Sequence, residues 1–475
     1  MSTTSQASQR INALLDENSF VEIGGLVTAR ATDFNLKQTE TPSDGVVTGY
    51  GVIDGSLVYV YSQDASVLNG SVGEMHAKKI VNLYDLAMKM GAPVIGLIDS
   101  AGLRLQEATD ALNGFGEIYR SQVMASGVIP QITAVFGNCG GGLALIPAMT
   151  DFAFMEEKKA KLFVNSPNAL EGNEISRCDT SAAAFQSEET GMVDMVADEA
   201  SILAQIRQLV SILPANNADY ALTDCADDLN RACAQIAGCV GDTAIALSQI
   251  ADDGLFVEVK QDYAKDMVAG FMRLNGATVG AVANRTEVYD AEGEVTDKFD
   301  AVLSARGAEK AAEFVTFCDA FDIPVLSLTN VTGFAATKCA EKRMAKAAGK
   351  LTYAFANATV PKVNVIIGKA YGSAYVAMNS KALGADITMA WPNAEIGMMD
   401  AKLAAKIICD GQGADAIDTC AKEYAALQNN VTSAARRGYV DQIVEPADTR
   451  KYVIGAFEML AAKNEGRPEK KHGTV

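Results

Sequence analysis

Apolar and polar positions along this chain switch repeatedly between a period of two and a period near 3.6 residues. A short helical pattern over residues 8–16 precedes Phe20-Val21-Glu22-Ile23-Gly24. From Asp44 to Gln63 the β-prone runs Val46–Ile53 and Leu57–Tyr61 flank Asp54-Gly55, which predicts a hairpin. Residues 72–90 read as a helix, with Lys78, Lys79, Asp85 and Lys89 set among apolar positions. Val94–Ile98 reads as a buried strand, Asp99-Ser100-Ala101-Gly102 as the loop beyond its end, and 107–126 as a further helix. The apolar run Ile132–Phe136 then meets Gly137-Asn138-Cys139-Gly140-Gly141-Gly142-Leu143-Ala144, which opens onto a helix-favouring run ending at Pro147.

The second half repeats the first. Phe256-Val257-Glu258-Val259 echoes Phe20 onwards, and Asn275-Gly276 echoes Asp54-Gly55. Four landmarks keep one offset of 231 positions: Pro93 and Pro324, Pro130 and Pro361, Gly137 and Gly368, Gly141 and Gly372. A constant offset predicts a duplicated α/β domain, residues 1–225 and 226–475, joined near Pro214–Ala226. Alternation of strand and helix predicts a mixed or parallel sheet with helices against it. Functional loops then lie beyond the strand ends.

Length and composition fit two globular domains: 475 residues exceed one ordinary core. No apolar run is long enough to cross a bilayer, and Met1–Gln9 is polar, so a cytoplasmic protein is expected. The nine cysteines include no C-x-x-C pair. A net charge of −19 argues against sequence-independent nucleic-acid binding and demands a local set of donors for any anionic ligand. Only His76 and His472 are histidines, which leaves little room for Ser-His-Asp or Cys-His catalysis. The P-loop and the dinucleotide-binding glycine fingerprints are absent.

With no catalytic histidine, reactive cysteine motif or metal-ligand cluster, backbone N–H groups are the strongest chemical resource. Glycines let a chain turn sharply and approach a ligand, and free N–H groups at a helix start favour negative charge. Two such turns suggest two enolate-like anions, one at each end of a group transfer. A lone glycine turn is as readily a packing feature; a duplicated pair is less so. Other candidates carry plainer readings. Arg104 either anchors an anion or pairs structurally with Glu107 or another acid, with a surface role the plainer expectation. Lys78 and Lys79 read first as a solvated helix face, His76 as structural, Glu341-Lys342-Arg343 as an exposed helix face, and Trp391 as core.

These residues carry a resemblance. Asp44–Gly51, Gly73–Ile80, Asp99–Glu107, Ala125–Gln131, the glycine turn, Phe317–Phe321, Ala358–Val363, Lys369–Tyr375, Arg437–Asp441 and Glu445–Arg450 run nearly end to end. Together they resemble the β-type carboxyltransferase subunits of biotin-dependent acyl-CoA carboxylases, such as propionyl-CoA carboxylase, and the related α subunits of acyl-CoA decarboxylases. The resemblance implies duplicated crotonase-like (ClpP/crotonase) ββα-superhelix domains. It implies a hexamer, a trimer of dimers, with active sites at the dimer interface.

By the same resemblance the N-terminal domain holds a coenzyme A thioester as substrate, with Gly141 and Gly142 as the hole for the acyl carbonyl. Ser100, Ala101, Gly102, Arg104, Gly140 and Val376 would line the acyl side. The C-terminal domain would hold biotin, with Ser373 and Ala374 on the ureido oxygen and Gly333, Phe334 and Gly372 around it. Carboxybiotin would release CO2, the biotin enolate would take the acyl α-proton, and the thioester enolate would attack CO2. Val376 stands where propionyl-type enzymes tend to carry aspartate, and Thr332-Gly333-Phe334 where the family usually has Pro-Gly-Phe. No Ala-Met-Lys-Met signal occurs, so biotin would arrive on a separate biotin carboxyl carrier protein. A biotin carboxylase partner would mean carboxylation; a membrane sodium-pumping partner would mean decarboxylation. Propionyl-CoA and methylmalonyl-CoA, or a similar short thioester, are the expected substrates. Two alternatives stand beside this reading: a biotin-independent crotonase-like hydratase or isomerase using Glu107 or Glu117, and a non-catalytic scaffold.

Overall fold

The computed structural model of the chain describes residues 5–30 and 40–475; Met1–Thr4, part of the polar start, lie outside them. The chain divides into two units, Met1–Ala221 and Leu222–Val475.

In the first unit the elements are α1 (Gln6–Leu14), β1 (Val21–Ile23), β2 (Val46–Ile53), β3 (Ser56–Gln63), α2 (Glu74–Met90), β4 (Val94–Ser100) and α3 (Ala108–Ala125). They continue with β5 (Gln131–Gly140), α4 (Leu145–Ala148), β6 (Phe152–Glu156), β7 (Lys161–Phe163), β8 (Met195–Ala197) and α5 (Glu199–Ile212). One sheet runs β1-β2-β3-β4-β5-β6-β8, with β7 alongside β5. The β1-β2-β3 pairs are antiparallel and the rest parallel. Helix α2 buries Ala77, Ile80, Leu83, Tyr84 and Ala87, a stripe at helical spacing, against a core that includes Val94, Ile98, Phe115, Ile118 and Val135. Leu143 and Ile146, just past the glycine turn, belong to the same core. Burial of those side chains therefore fixes the turn to the sheet.

The second unit holds α6 (Thr243–Ile250), β9 (Phe256–Glu258), β10 (Met267–Leu274), β11 (Ala277–Asn284), β12 (Glu287–Tyr289), β13 (Val295–Lys298), α7 (Ala305–Ala320), β14 (Val325–Val331), α8 (Lys338–Glu341) and α9 (Met344–Asn357). Then come β15 (Lys362–Tyr371), α10 (Gly372–Ala377), β16 (Ile387–Ala390), β17 (Glu395–Gly397), α11 (Ala401–Ile408), α12 (Ala414–Tyr424), α13 (Val431–Arg436), β18 (Gln442–Ile443) and α14 (Thr449–Leu460). Its sheet runs β9-β10-β11-β14-β15-β16-β18, with β17 alongside β15. Strand for strand this is the first unit's order, with the same switch from antiparallel to parallel.

The duplication extends to irregularities. The β4–β5 ladder slips between Ile98 and Ser100, and β14–β15 slips between Thr329 and Val331. Asp16 accepts from the N–H of Asp54 and Gly55 at the hairpin turn; Asp252 accepts from those of Asn275 and Gly276. Arg207 donates to the carbonyl of Leu14, and Arg450 to that of Ile250. Strand β5 runs on to Gly140, past the break expected at Gly137, because β7 pairs with Asn138–Gly140 and supplies ladder hydrogen bonds there.

Candidate functional site

Each turn follows from where β5 and β15 stop. Gly141 begins a helical turn at φ +64°, and Gly372 begins α10 at φ +62°. Side-chain-bearing residues resist that left-handed conformation, so both positions select glycine. The first N–H groups of a helix have no intrahelical acceptor. Those of Gly141 and Gly142, and of Ser373 and Ala374, fall in this class.

The loop after β4 lies beside the first turn. Ser100 is buried and its hydroxyl accepts from the N–H of Gly102 at 3.1 Å. Ala101 is exposed and bonded to the carbonyl of Asn69, and Gly102 stands at φ +93° close to the carbonyl of Gly140. Ser100, Ala101, Gly102, Gly140, Gly141 and Gly142 are thus gathered at one sheet end. In the second unit Leu303 bridges Phe334 as Val72 bridges Leu103, which sets Gly333 and Phe334 at the matching loop. Val376 projects from α10, 40% exposed, three residues past Ser373.

Arg104 is turned inward rather than lying at the surface. It is 1% exposed, donates to Asp44 at 2.7 Å and Glu107 at 2.8 Å, and holds Ser71 through its other nitrogens. Glu107 also accepts from the first N–H of α2, that of Glu74, at 2.6 Å. This cluster is a buried brace behind the loop. His76 completes it: the ring is buried between the carbonyl of Asp44 and the amide of Gln63, and burial drives its pKa down to about 3. Burial also raises the Asp44 carboxyl, against the pull of Arg104. Lys79, expected on a solvated face, is buried too, with its ammonium on the carbonyls of Ser43 and Val46 and its pKa lowered by burial to about 8. Lys78 is exposed and pairs with Glu74. Glu341, Lys342 and Arg343 are exposed, and Trp391 is core, with its indole N–H on Thr449.

Few side chains at the turns can do acid–base work. Cys139 is fully buried, and burial pushes its thiol up, so it stays protonated. Tyr371 is bound to Glu395, and burial followed by that contact raises it. Glu107 is committed to Arg104 and α2, while Glu117 is exposed beside Asn113. What converges at the turns is backbone N–H, suited to an oxygen that gains negative charge. Sequence reasoning missed Tyr119, whose hydroxyl donates to the carbonyl of Gly142 at 2.6 Å. Its only trace in the sequence is an aromatic one turn beyond Phe115 on α3, and the rings of the two stack with centroids 5.9 Å apart.

Comparison with known proteins places this architecture. The carboxyl transferase domain family matches residues 4–475. The chain is 39% identical over 488 residues to the methylmalonyl-CoA decarboxylase subunit alpha of Propionigenium modestum, covering 99% of this chain and 92% of that one. It is 41% identical over 484 residues to the propionyl-CoA carboxylase beta chain of Roseobacter denitrificans, covering 99% and 93%. Among solved structures it is similar to the transcarboxylase 12S hexamer with hydrolysed methylmalonyl-CoA bound, at a TM-score of 0.92 and 37% identity over 98% of this chain and 92% of that one.

Proposed function

Because the chain belongs to the carboxyl transferase family, we propose that it moves a carboxyl group between a short acyl-CoA and biotin carried on a separate protein. The crotonase-like fold is present twice, each copy with its own glycine turn. That paired turn is the observation carrying the proposal.

On the acyl side the N–H groups of Gly141 and Gly142 bind the thioester oxygen. They act most strongly once the α-proton has left and the oxygen carries charge, so they lower the barrier rather than merely hold substrate. The burial of Leu143 and Ile146 ties the helical end of the turn to the sheet. Biotin is tested against the second turn by donor chemistry: a ureido oxygen is a pure acceptor, and Ser373 and Ala374 offer N–H donors at a helix start behind a left-handed glycine. The fit is good, with Gly333, Phe334 and Gly372 around it. When bound, biotin supplies the carboxyl group and the base for the acyl carbon. The chain's own task there is to bind and orient the urea ring through those two N–H groups. Val376, exposed beside Ser373, adjusts which acyl chain is accepted.

Propionyl-CoA and methylmalonyl-CoA are the substrates that the relatives' names favour. The same half-site chemistry serves carboxylation and decarboxylation, so direction follows from the partner: a biotin carboxylase or a membrane decarboxylase subunit. Among the described residues no helix is long and apolar enough to cross a membrane. A hexamer is proposed from the similar transcarboxylase core, and a cytoplasmic location from the nine free cysteines, which suit a reducing compartment. A biotin-free hydratase loses one of its two candidate glutamates, because Glu107 is sealed in its ion pair while Glu117 is exposed. The test is turnover across short acyl-CoA and malonyl-type thioesters with a biotinylated carrier supplied. Carrier-dependent turnover of methylmalonyl-CoA is expected; turnover indifferent to the carrier would overturn the proposal.

A further inference from the structure

The acyl-side turn consists of consecutive glycines, and consecutive glycines leave their peptide planes cheap to rotate. An oxyanion hole needs the reverse, donors already aimed before charge appears. Something outside the glycines must hold them. The carbonyl of Gly142 accepts two hydrogen bonds: from the N–H of Leu145 in the helical turn, and from the hydroxyl of Tyr119 at 2.6 Å. Both lone pairs of that oxygen are therefore used. Tyr119 is itself anchored. Its ring stacks on buried Phe115, and a β-carbon at position 142 would lie 3.0 Å from its hydroxyl oxygen. One turn further along α3, Gln122 donates to the carbonyl of Ile146 at 3.2 Å. Helix α3 thus grips the short helix after the glycines at two carbonyls on one face.

Carbonyl and N–H lie on opposite sides of a planar peptide. In a helical turn the carbonyls face one end and the N–H groups the other. The Gly142 carbonyl shares its peptide plane with the N–H of Leu143, so fixing it toward α3 fixes that plane directly and, through the backbone torsions of Gly142, restrains the glycine whose own N–H lies on the preceding peptide. A hydrogen bond on that carbonyl also polarises its peptide and strengthens the Leu143 N–H, the donor attached to it. In the second unit Lys350 stands 231 positions after Tyr119, and its ammonium pairs with Glu309. Its turn bears Ser373 where the first bears Gly142, and that side chain narrows the backbone's freedom, so it needs less restraint.

We propose that Tyr119 is a positioning residue for the acyl-side oxyanion hole, acting through the Gly142 carbonyl, without touching substrate or donating a proton. The inference rests on the carboxyltransferase reading, and its test separates the two. In full-length Tyr119→Phe the ring stack is kept and the hydroxyl lost. Turnover of methylmalonyl-CoA with carrier should fall about tenfold, short of the 10²–10³ typical of deleting a hole donor. KM for the thioester should stay within about twofold, because uniform binding is untouched. The thermal midpoint should move by less than about 4 °C. Release of CO2 from carboxylated carrier without acyl-CoA, a biotin-side reaction, should be unchanged. Hydrogen exchange across residues 140–146 should quicken by about fivefold or more, a readout independent of activity. Wild-type turnover in the variant, equal losses in both reactions, or unaltered exchange would each overturn the role of Tyr119. A wild-type protein that transfers no carboxyl group would overturn the functional reading, with exchange still deciding whether Tyr119 holds the turn.

Discussion

Asp99 and Asn330 hold the same station in the two sheets, one charged and one neutral. Each lies at the end of its strand against the glycine of the neighbouring strand: a β-carbon on Gly137 would overlap Oδ1 of Asp99, and one on Gly368 would lie 2.5 Å from Oδ1 of Asn330. The charge has a local cause. Asp99 pairs with Arg10 at 3.4 Å, a buried guanidinium that also lies over the Phe136 ring and binds Glu199. The position matching Arg10 in α6 is Ala246, buried and apolar, and Asn330 instead accepts from the N–H of Lys369 at 3.0 Å. Cation and anion were replaced together, so neither unit buries an unpaired charge here.

Gly137→Ala must push the Asp99 carboxylate away from Arg10. We expect a loss of about 1–3 kcal/mol in denaturant unfolding, typical of overpacking. Gly116→Ala is the control. Gly116 lies in α3 with open space where its β-carbon would be, so that change should stabilise by up to about 1 kcal/mol.

Arg104→Met removes the one cation shared by Asp44 and Glu107, both buried. Stripping a buried pair of one partner costs about 3–5 kcal/mol. The variant should lose that much in equilibrium unfolding, while the folded enzyme's KM for acyl-CoA stays within about twofold. A large rise in KM with unchanged stability would show that Arg104 meets the ligand.

Buried bases give the stability an identifiable pH dependence. The His76 pKa falls to about 3 on folding, so between there and its unfolded value of 6.5 the unfolded chain binds the extra proton. The His76 contribution should therefore fall on acidification, by up to about 1.4 kcal/mol per pH unit. The buried carboxyls of Asp151, pushed up to about 7, and of Asp44 and Glu258, also raised by burial, work in the opposite direction, so the histidine's share is read as the difference between wild type and a His76 variant from pH 6.5 to 5. Lys79, Lys310 and Lys362 are each lowered to about 8 by burial. Above their folded values and up to 10.5 the unfolded chain again holds more protons, and these groups add stability as pH rises. His76→Gln should gain stability relative to wild type as pH falls from 6.5 to 5, and Lys79→Met should flatten the alkaline limb, as measured by urea titrations.

Gly142→Val places a side chain against the Tyr119 hydroxyl that holds the Gly142 carbonyl, and so displaces the acyl-side turn. Ala374→Val overfills a fully buried position at the other turn and should also cost about 1–3 kcal/mol of stability. Both should cut carboxyl transfer by roughly 10²-fold or more per folded molecule. Only Ala374→Val should slow CO2 release from carboxylated carrier in the absence of acyl-CoA.

The fold was legible because duplication left fixed landmarks. Pro93 with Pro324 and Gly137 with Gly368 mark strand starts and strand passages that both sheets keep. The turns were legible in composition but not in extent: glycines read as a break at Gly137, whereas pairing with β7 carries β5 on to Gly140. Burial of Arg104 and Lys79 was hidden because their partners, Asp44, Ser43 and Val46, lie far away in the chain. No local pattern announces that a basic residue will meet its acceptors inside. Tyr119 was hidden for the same reason, since its acceptor is a backbone carbonyl 23 positions on.

The central claim is tested most directly by following a labelled carboxyl group. Methylmalonyl-CoA carrying ¹³C in the free carboxyl is mixed with the biotinylated carrier, and the carrier is weighed by intact mass. Labelled carboxyl should appear on the carrier with the wild-type protein and be nearly absent with Gly142→Val. A carrier that gains no label from the folded wild-type protein, or gains it equally fast with Gly142→Val, would contradict the account.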